Sequence, residues 1–195
     1  MNFNNYKYEH LDLEKIKGEF SELIGSFEKA ENVEGQIEAF DKIIKLRNHI
    51  ETMQTLVSIR HSIDTNDEFY DKENEYMDEI SPILFGFTND FYKALVNSKF
   101  KDELIKKYGK LLFDLAENTL KVFSNEIIPD AQEENRLSSK YSKLIASAKI
   151  DFDGKELNLS QMVPYTQSKD RNVRIEAAKK VAQFFAENQE EFDNI

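Results

Sequence analysis

Six glycines and three prolines in 195 residues leave this chain almost without punctuation. Many-stranded sandwiches and barrels need turn residues every eight to twelve positions, so those folds are excluded. Long helices remain, and the apolar residues recur at helical spacing. Leu13, Ile16, Phe20, Leu23, Ile24 and Phe27 form one stripe, with Asp12 placed to cap its start. A break near Glu31-Asn32 precedes a second helix with Ile37, Phe40, Ile43, Ile44, Ile50, Met53 and Val57 on its inner side. Asp64-Thr65-Asn66-Asp67 ends that helix and caps a third, which carries Phe69, Tyr76, Met77, Ile80, Ile83 and Leu84. Pro82 is expected to kink or restart the third helix, with Ser81 as the new cap.

The pattern continues through Phe87, Phe91 and Leu95 to about Asn97. A short helix with Phe100, Leu104, Ile105 and Tyr108 ends near Gly109. Leu111, Leu112, Leu115, Leu120 and Phe123 mark another, and Ser124 caps a segment reaching past Tyr141 with Pro129 near its start. One stretch breaks the helical rule. In residues 145–159, IASAKIDFDGKELNL, Ile150 and Phe152 alternate before Asp153-Gly154, and Leu157 and Leu159 alternate after it. Asp-Gly between alternating apolar positions predicts a β-hairpin. A final helix is expected from near Ser168 through Val173, Ala177, Val181, Phe184 and Phe192. Ile195 is still in phase and no C-cap residue precedes it, which predicts a helix cut before its end. No fixed-period repeat and no flexible linker divides the chain, so the expected architecture is mainly α: one multi-helix domain, residues 1–195, of long antiparallel helices with one small hairpin at 145–159.

Charge and residue usage narrow the function. With 26 Lys+Arg against 37 Asp+Glu the net charge is −11, which argues against nucleic acid because phosphate neutralisation needs a basic face. Without cysteine there is no disulfide framework, thiolate zinc site or cysteine nucleophile. The apolar runs fall short of the ~20 residues of a membrane span, and the first residues lack the basic start and apolar core of an export signal. The cytoplasm is the expected compartment.

The polar residues offer no catalytic site. His10, His49 and His61 are the only imidazoles, and none sits in an H-E-x-x-H element. His49 and His61 lie about 18 Å apart along one helix, too far to share a metal. Arg60-His61-Ser62-Ile63-Asp64 holds Ser, His and Asp, but consecutive helix positions fan out instead of converging. Asp64-Thr65-Asn66-Asp67-Glu68 followed by Glu75 imitates a calcium loop, except that Phe69 stands where the sharp turn needs glycine. Glu133-Glu134 with Arg136, and Asp170-Arg171 with Arg174, offer substrate-binding ion pairs, but their spacing is that of helix-surface pairs, which is the expected role. No glycine-rich phosphate loop is present. The expectation is no catalytic residue and no metal ligand within these residues.

Two long stretches carry a resemblance. KLRNHIETMQTLVSIRHSIDTNDEFYDKENEYMDEISP at 45–82 and QEENRLSSKYSKLIASAKIDFDGKELNLSQMVPYTQSKDRNVRIEAAKKVAQFFAENQEEFD at 132–193 resemble the N-terminal helical region of bacterial oligoendopeptidase F, one of the thimet oligopeptidase-like zinc peptidases. The second includes the D-R-x-V-R element at Asp170, Arg171, Val173 and Arg174. The resemblance implies a cytoplasmic metallopeptidase that cleaves short peptides in a channel between two mostly helical halves. In that family zinc is bound by an H-E-x-x-H helix and a downstream Glu, all well C-terminal to the matched region. This sequence holds none of them, so no catalytic or metal residue carries over. It is expected to be an N-terminal, channel-wall lobe that limits substrate access, inactive without its C-terminal catalytic domain. His61, Asp64 and Tyr70 are possible lining residues, and the substrate-binding residues are unknown. Apolar surface meant for the missing half implies self-association of the fragment. The alternative is a free-standing acidic helical interaction module.

Overall fold

A computed structural model describes residues 3–195, apart from the side chain of Asn4. Nine α-helices and one two-stranded antiparallel sheet are found among the described residues, in agreement with a mainly α chain carrying one hairpin. They divide into two compact units, Met1–Glu133 and Glu134–Ile195. Among the described residues no helix is long and apolar enough to cross a membrane.

The first unit is built on α1 (Leu13–Lys29), α2 (Val33–Ile63) and α3 (Glu68–Val96). Polar side chains at the predicted positions start each helix: Asp12 accepts from Lys15 N, Asn32 from Gly35 N, and Asp67 from Phe69 N and Tyr70 N. The short connections fold the helices back on one another, and all three pack together. Their inward residues make the main core, in which Phe27, Ile43, Val57, Phe91 and Leu95 are fully buried. The Phe91 ring lies 5.8 Å from Phe27, edge to face, and 5.6 Å from Phe40. Burying one such ring is worth about 2–3 kcal/mol, and each aromatic pair adds about 0.5–1.5 kcal/mol.

Gln36, 2% exposed, joins three segments. Its Nε2 donates to the Phe27 carbonyl at 3.0 Å, an acceptor left without a helical partner in the last turn of α1. Its Oε1 accepts from the Ser98 hydroxyl at 2.5 Å. Helix α4 (Lys101–Tyr108) follows and ends at Gly109, whose φ of 87° and ψ of 153° are open essentially to glycine alone. Helix α5 (Lys110–Val122) then packs on α3 and α4. Beyond a 3-10 turn capped by Ser124, α6 (Ile128–Ala146) begins with Pro129 in its first turn.

In the second unit, β1 (Ile150–Phe152) pairs with β2 (Lys155–Leu157), with Ile150 opposite Leu157. Asp153 and Gly154 both adopt positive φ, 53° and 72°, as the predicted Asp-Gly turn requires. Ile150 and Leu157 point inward to a small core with Ala148, Met162, Ala177 and Phe184.

Three local expectations fail. Helix α3 does not restart at Pro82 but continues through it, and the Ser81 hydroxyl donates to the Met77 carbonyl at 2.6 Å instead of capping. The lost backbone bond is outweighed by burial on this central helix, which packs against α1, α2 and α5. Leu159 belongs not to the hairpin but to α7 (Leu159–Thr166), started by an Asn158–Gln161 capping box. The last helix also does not run to Ile195. Helix α8 (Arg171–Glu187), capped by Asp170, stops at Asn188, whose side chain donates to the Phe184 carbonyl at 2.8 Å; a short α9 (Gln189–Asp193) then continues the stripe.

Candidate functional site

A dense constellation of titratable and aromatic side chains lies in the first unit, where residues 6–11 run over the end of α2 and the first turns of α3. It forms there because α2 ends in Arg60 and His61 while α3 begins with Tyr70, Asp71 and Glu73, so the capping turn at 64–67 brings the two sets face to face. His61, 6% exposed, places Nε2 3.1 Å from Asp71 Oδ1. Arg60 donates to the Tyr70 hydroxyl and, at 2.6 Å, to the Tyr6 carbonyl. Its guanidinium also lies over the rings of Tyr70 and Phe3, 5.3 and 5.8 Å from their centroids.

Glu73 organises the other side. Its carboxylate accepts from the Tyr8 hydroxyl, and His10 Nδ1 lies 2.9 Å from Oε2. Burial, and next the hydrogen bond to Glu73, push the Tyr8 hydroxyl well above the ordinary phenol range, so Tyr8 stays neutral and donating at physiological pH. His10 stacks on Tyr76 at 4.7 Å, and the Tyr76 hydroxyl donates to the Leu11 carbonyl at 2.8 Å. Glu9 N–H approaches the Met53 sulfur at 3.2 Å. The whole arrangement ties residues 6–11 to two helices.

Chemically it is an anchor. Each acid and base named above already has a partner within the cluster, where His10 and His61 are bound to carboxylates and not to a hydroxyl. Ser62 donates instead to the Ser58 carbonyl at 2.7 Å, away from His61 in its bonding, so the triad spacing at 60–64 is not used. Asp64 and Asp67 spend Oδ1 on the backbone N–H groups of Asn66, Phe69 and Tyr70, which makes the calcium-like loop a double cap. Among the described residues no group of three or more His, Cys, Asp or Glu is placed to hold a metal ion, so these residues do not fit a zinc site.

Of the three candidate lining residues, His61 and Tyr70 fall in this cluster, one buried and one half-buried, while Asp64 is exposed at the turn. His49 stands apart, beside an open cavity of about 380 Å³ between α1 and α2 lined also by Glu19, Leu23, Lys42, Lys45 and Leu46. Sequence reasoning missed Tyr8, Glu73 and Arg60. The partners are 10 to 65 residues apart in the chain, and no periodic signal links them.

Over residues 3–123 the sequence matches the peptidase M3 N-terminal domain family. The whole fold is similar to Pz peptidase A solved with an inhibitor: 47% identity and TM-score 0.95, over 99% of this chain and 34% of that one. It is also similar to a protein described as an oligoendopeptidase F, at 44% identity and TM-score 0.96, over 100% of this chain and 34% of that one. A third, described in the same words and from Bacillus anthracis str. Ames, gives 44% identity and TM-score 0.97 over 100% and 36%. The chain thus spans about a third of the length of these solved relatives. No curated protein matches it.

Proposed function

Because the chain belongs to the peptidase M3 family through its N-terminal domain, we propose that it is the non-catalytic N-terminal lobe of a zinc-dependent oligoendopeptidase acting on short peptides. One observation carries this reading: the full chain matches peptidases at 44–47% identity while filling only 34–36% of their length. The catalytic and metal-binding groups would belong to the remaining two thirds. On this reading its helices serve as a wall of the parent's substrate channel, which selects by size without supplying chemistry. On this reading all 195 residues act as one lobe and the 195-residue chain alone hydrolyses nothing. It self-associates only at high concentration, through apolar surface left uncovered. A cysteine-free acidic chain suits a cytoplasmic enzyme.

Access control is tested on a polypeptide of the relatives' length by offering one cleavage sequence twice, as a short free peptide and inside a folded protein loop. Hydrolysis of the free peptide alone is expected. Equal hydrolysis of both would remove the gating role.

A further inference from the structure

Helix α5 is apolar over about twice the arc that one buried face needs. Phe113, Ala116 and Leu120 share one face of this helix, which packs against α3 and α4, with Phe113 2% and Ala116 0% exposed. An ordinary surface helix would be polar beyond that stripe. Instead Leu111, Leu115 and Val122 fall within about 40° of one another on a second stripe. They are 69%, 54% and 79% exposed. The polar arc between the stripes is already self-paired: Lys110 meets Asp114 at 3.3 Å, and Lys101 of α4 meets Glu117 at 2.8 Å.

From this geometry we infer that the Leu111–Leu115–Val122 stripe is a docking ridge for the part of the peptidase that follows this lobe in polypeptides of the relatives' length. This rests on the peptidase reading above. The occupant is an apolar surface, because the ridge offers no charge of its own. Its size decides between a tethered partner and a second copy. Three side chains exposed to this extent present roughly 400 Å², about half of the ~800 Å² per partner that a stable complex of separate chains buries. A small ridge suffices when the partner is covalently attached, because attachment supplies an effective concentration near the millimolar range. Solved relatives about three times as long supply such an attached partner.

Hydroxyl-radical footprinting by mass spectrometry tests the ridge in the 195-residue chain and in the full-length polypeptide. Oxidation of Leu111, Leu115 and Val122 is expected to fall about fivefold or more in the longer chain. Unchanged oxidation overturns the proposal. Leu115→Glu provides an independent readout: it leaves the Tm of the 195-residue chain within about 1 °C and lowers that of the longer chain by about 3 °C or more. Equal shifts in both overturn it. Sedimentation of the 195-residue chain at micromolar concentration is expected to give a monomer, whereas a dimer protecting the same three residues makes a second copy the occupant and overturns the proposal. Peptide hydrolysis on the same long sample separates the two readings. Hydrolysis without protection removes the ridge alone, and protection without hydrolysis removes the peptidase reading.

Discussion

Replacing Gln36 by leucine isolates the polar junction that holds three segments of the first unit together. The substitution keeps side-chain bulk and removes both hydrogen bonds, to the Phe27 carbonyl and from the Ser98 hydroxyl. The carbonyl belongs to a fully buried residue and would be left unpaired, which costs about 1–3 kcal/mol. The bond to half-buried Ser98 adds about 0.5–1.5 kcal/mol, less because its hydroxyl can turn to water. The sum is a loss of about 2–4 kcal/mol, or a Tm lowered by about 5–15 °C at this chain length. Urea unfolding followed by circular dichroism reads it. Gln36→Glu adds a signature that simple packing damage lacks. The introduced carboxyl must be protonated to donate to the Phe27 carbonyl, so its folded pKa lies above the unfolded value of about 4.3. The contribution of this carboxyl to stability is therefore fully present below about pH 4 and is lost as pH rises through the folded pKa. A Gln36→Leu variant within about 0.5 kcal/mol of the parent chain, or a Gln36→Glu deficit equal at pH 4 and pH 7, would refute the junction.

Tyr8 and Tyr108 both have hydroxyl pKa values raised by burial and by carboxylates, Glu73 and Asp41, that accept from them. Their stabilisation is complete below the unfolded phenol value of about 10 and declines as pH rises beyond it, because the unfolded chain ionises first. Tyr8→Phe and Tyr108→Phe should each flatten the alkaline fall of Tm; an unchanged slope contradicts the assignment. Gly109→Ala meets no neighbouring atom within 4 Å, so its cost is backbone strain alone, about 1–3 kcal/mol by urea unfolding. Arg60→Lys keeps the charge but loses the planar fork shared between Tyr70 and the Tyr6 carbonyl. Amide exchange in residues 6–11 should then quicken about tenfold or more while the α2 core stays protected.

Much of the fold is legible because its signals are local. Asp12 and Asp67 cap the helices they precede in sequence, and Asp153-Gly154 turns the hairpin between residues that alternate on both sides. The errors arise where two local signals compete. Leu157 and Leu159 alternate like a strand, yet Asn158 with Gln161 three positions later starts a helix between them. Phe184 and Phe192 share a stripe, so the interruption at Asn188 leaves no trace in the periodicity. The anchoring cluster was legible only in fragments. His61 meets Asp71 across a cap, and Tyr8 meets Glu73 across 65 residues, a pairing set by how α2 and α3 pack. Membership of the peptidase family was carried instead by long ordered segments, none of them a catalytic motif.

Hydrolysis of a quenched fluorescent peptide tests the central claim most directly, measured side by side for the 195-residue chain and a polypeptide of the relatives' length. Turnover by the longer polypeptide, abolished by a metal chelator and absent from the 195-residue chain, is the predicted result. Chelator-sensitive turnover by the 195-residue chain alone, or none by the longer polypeptide, would contradict the assignment of this chain as a non-catalytic peptidase lobe.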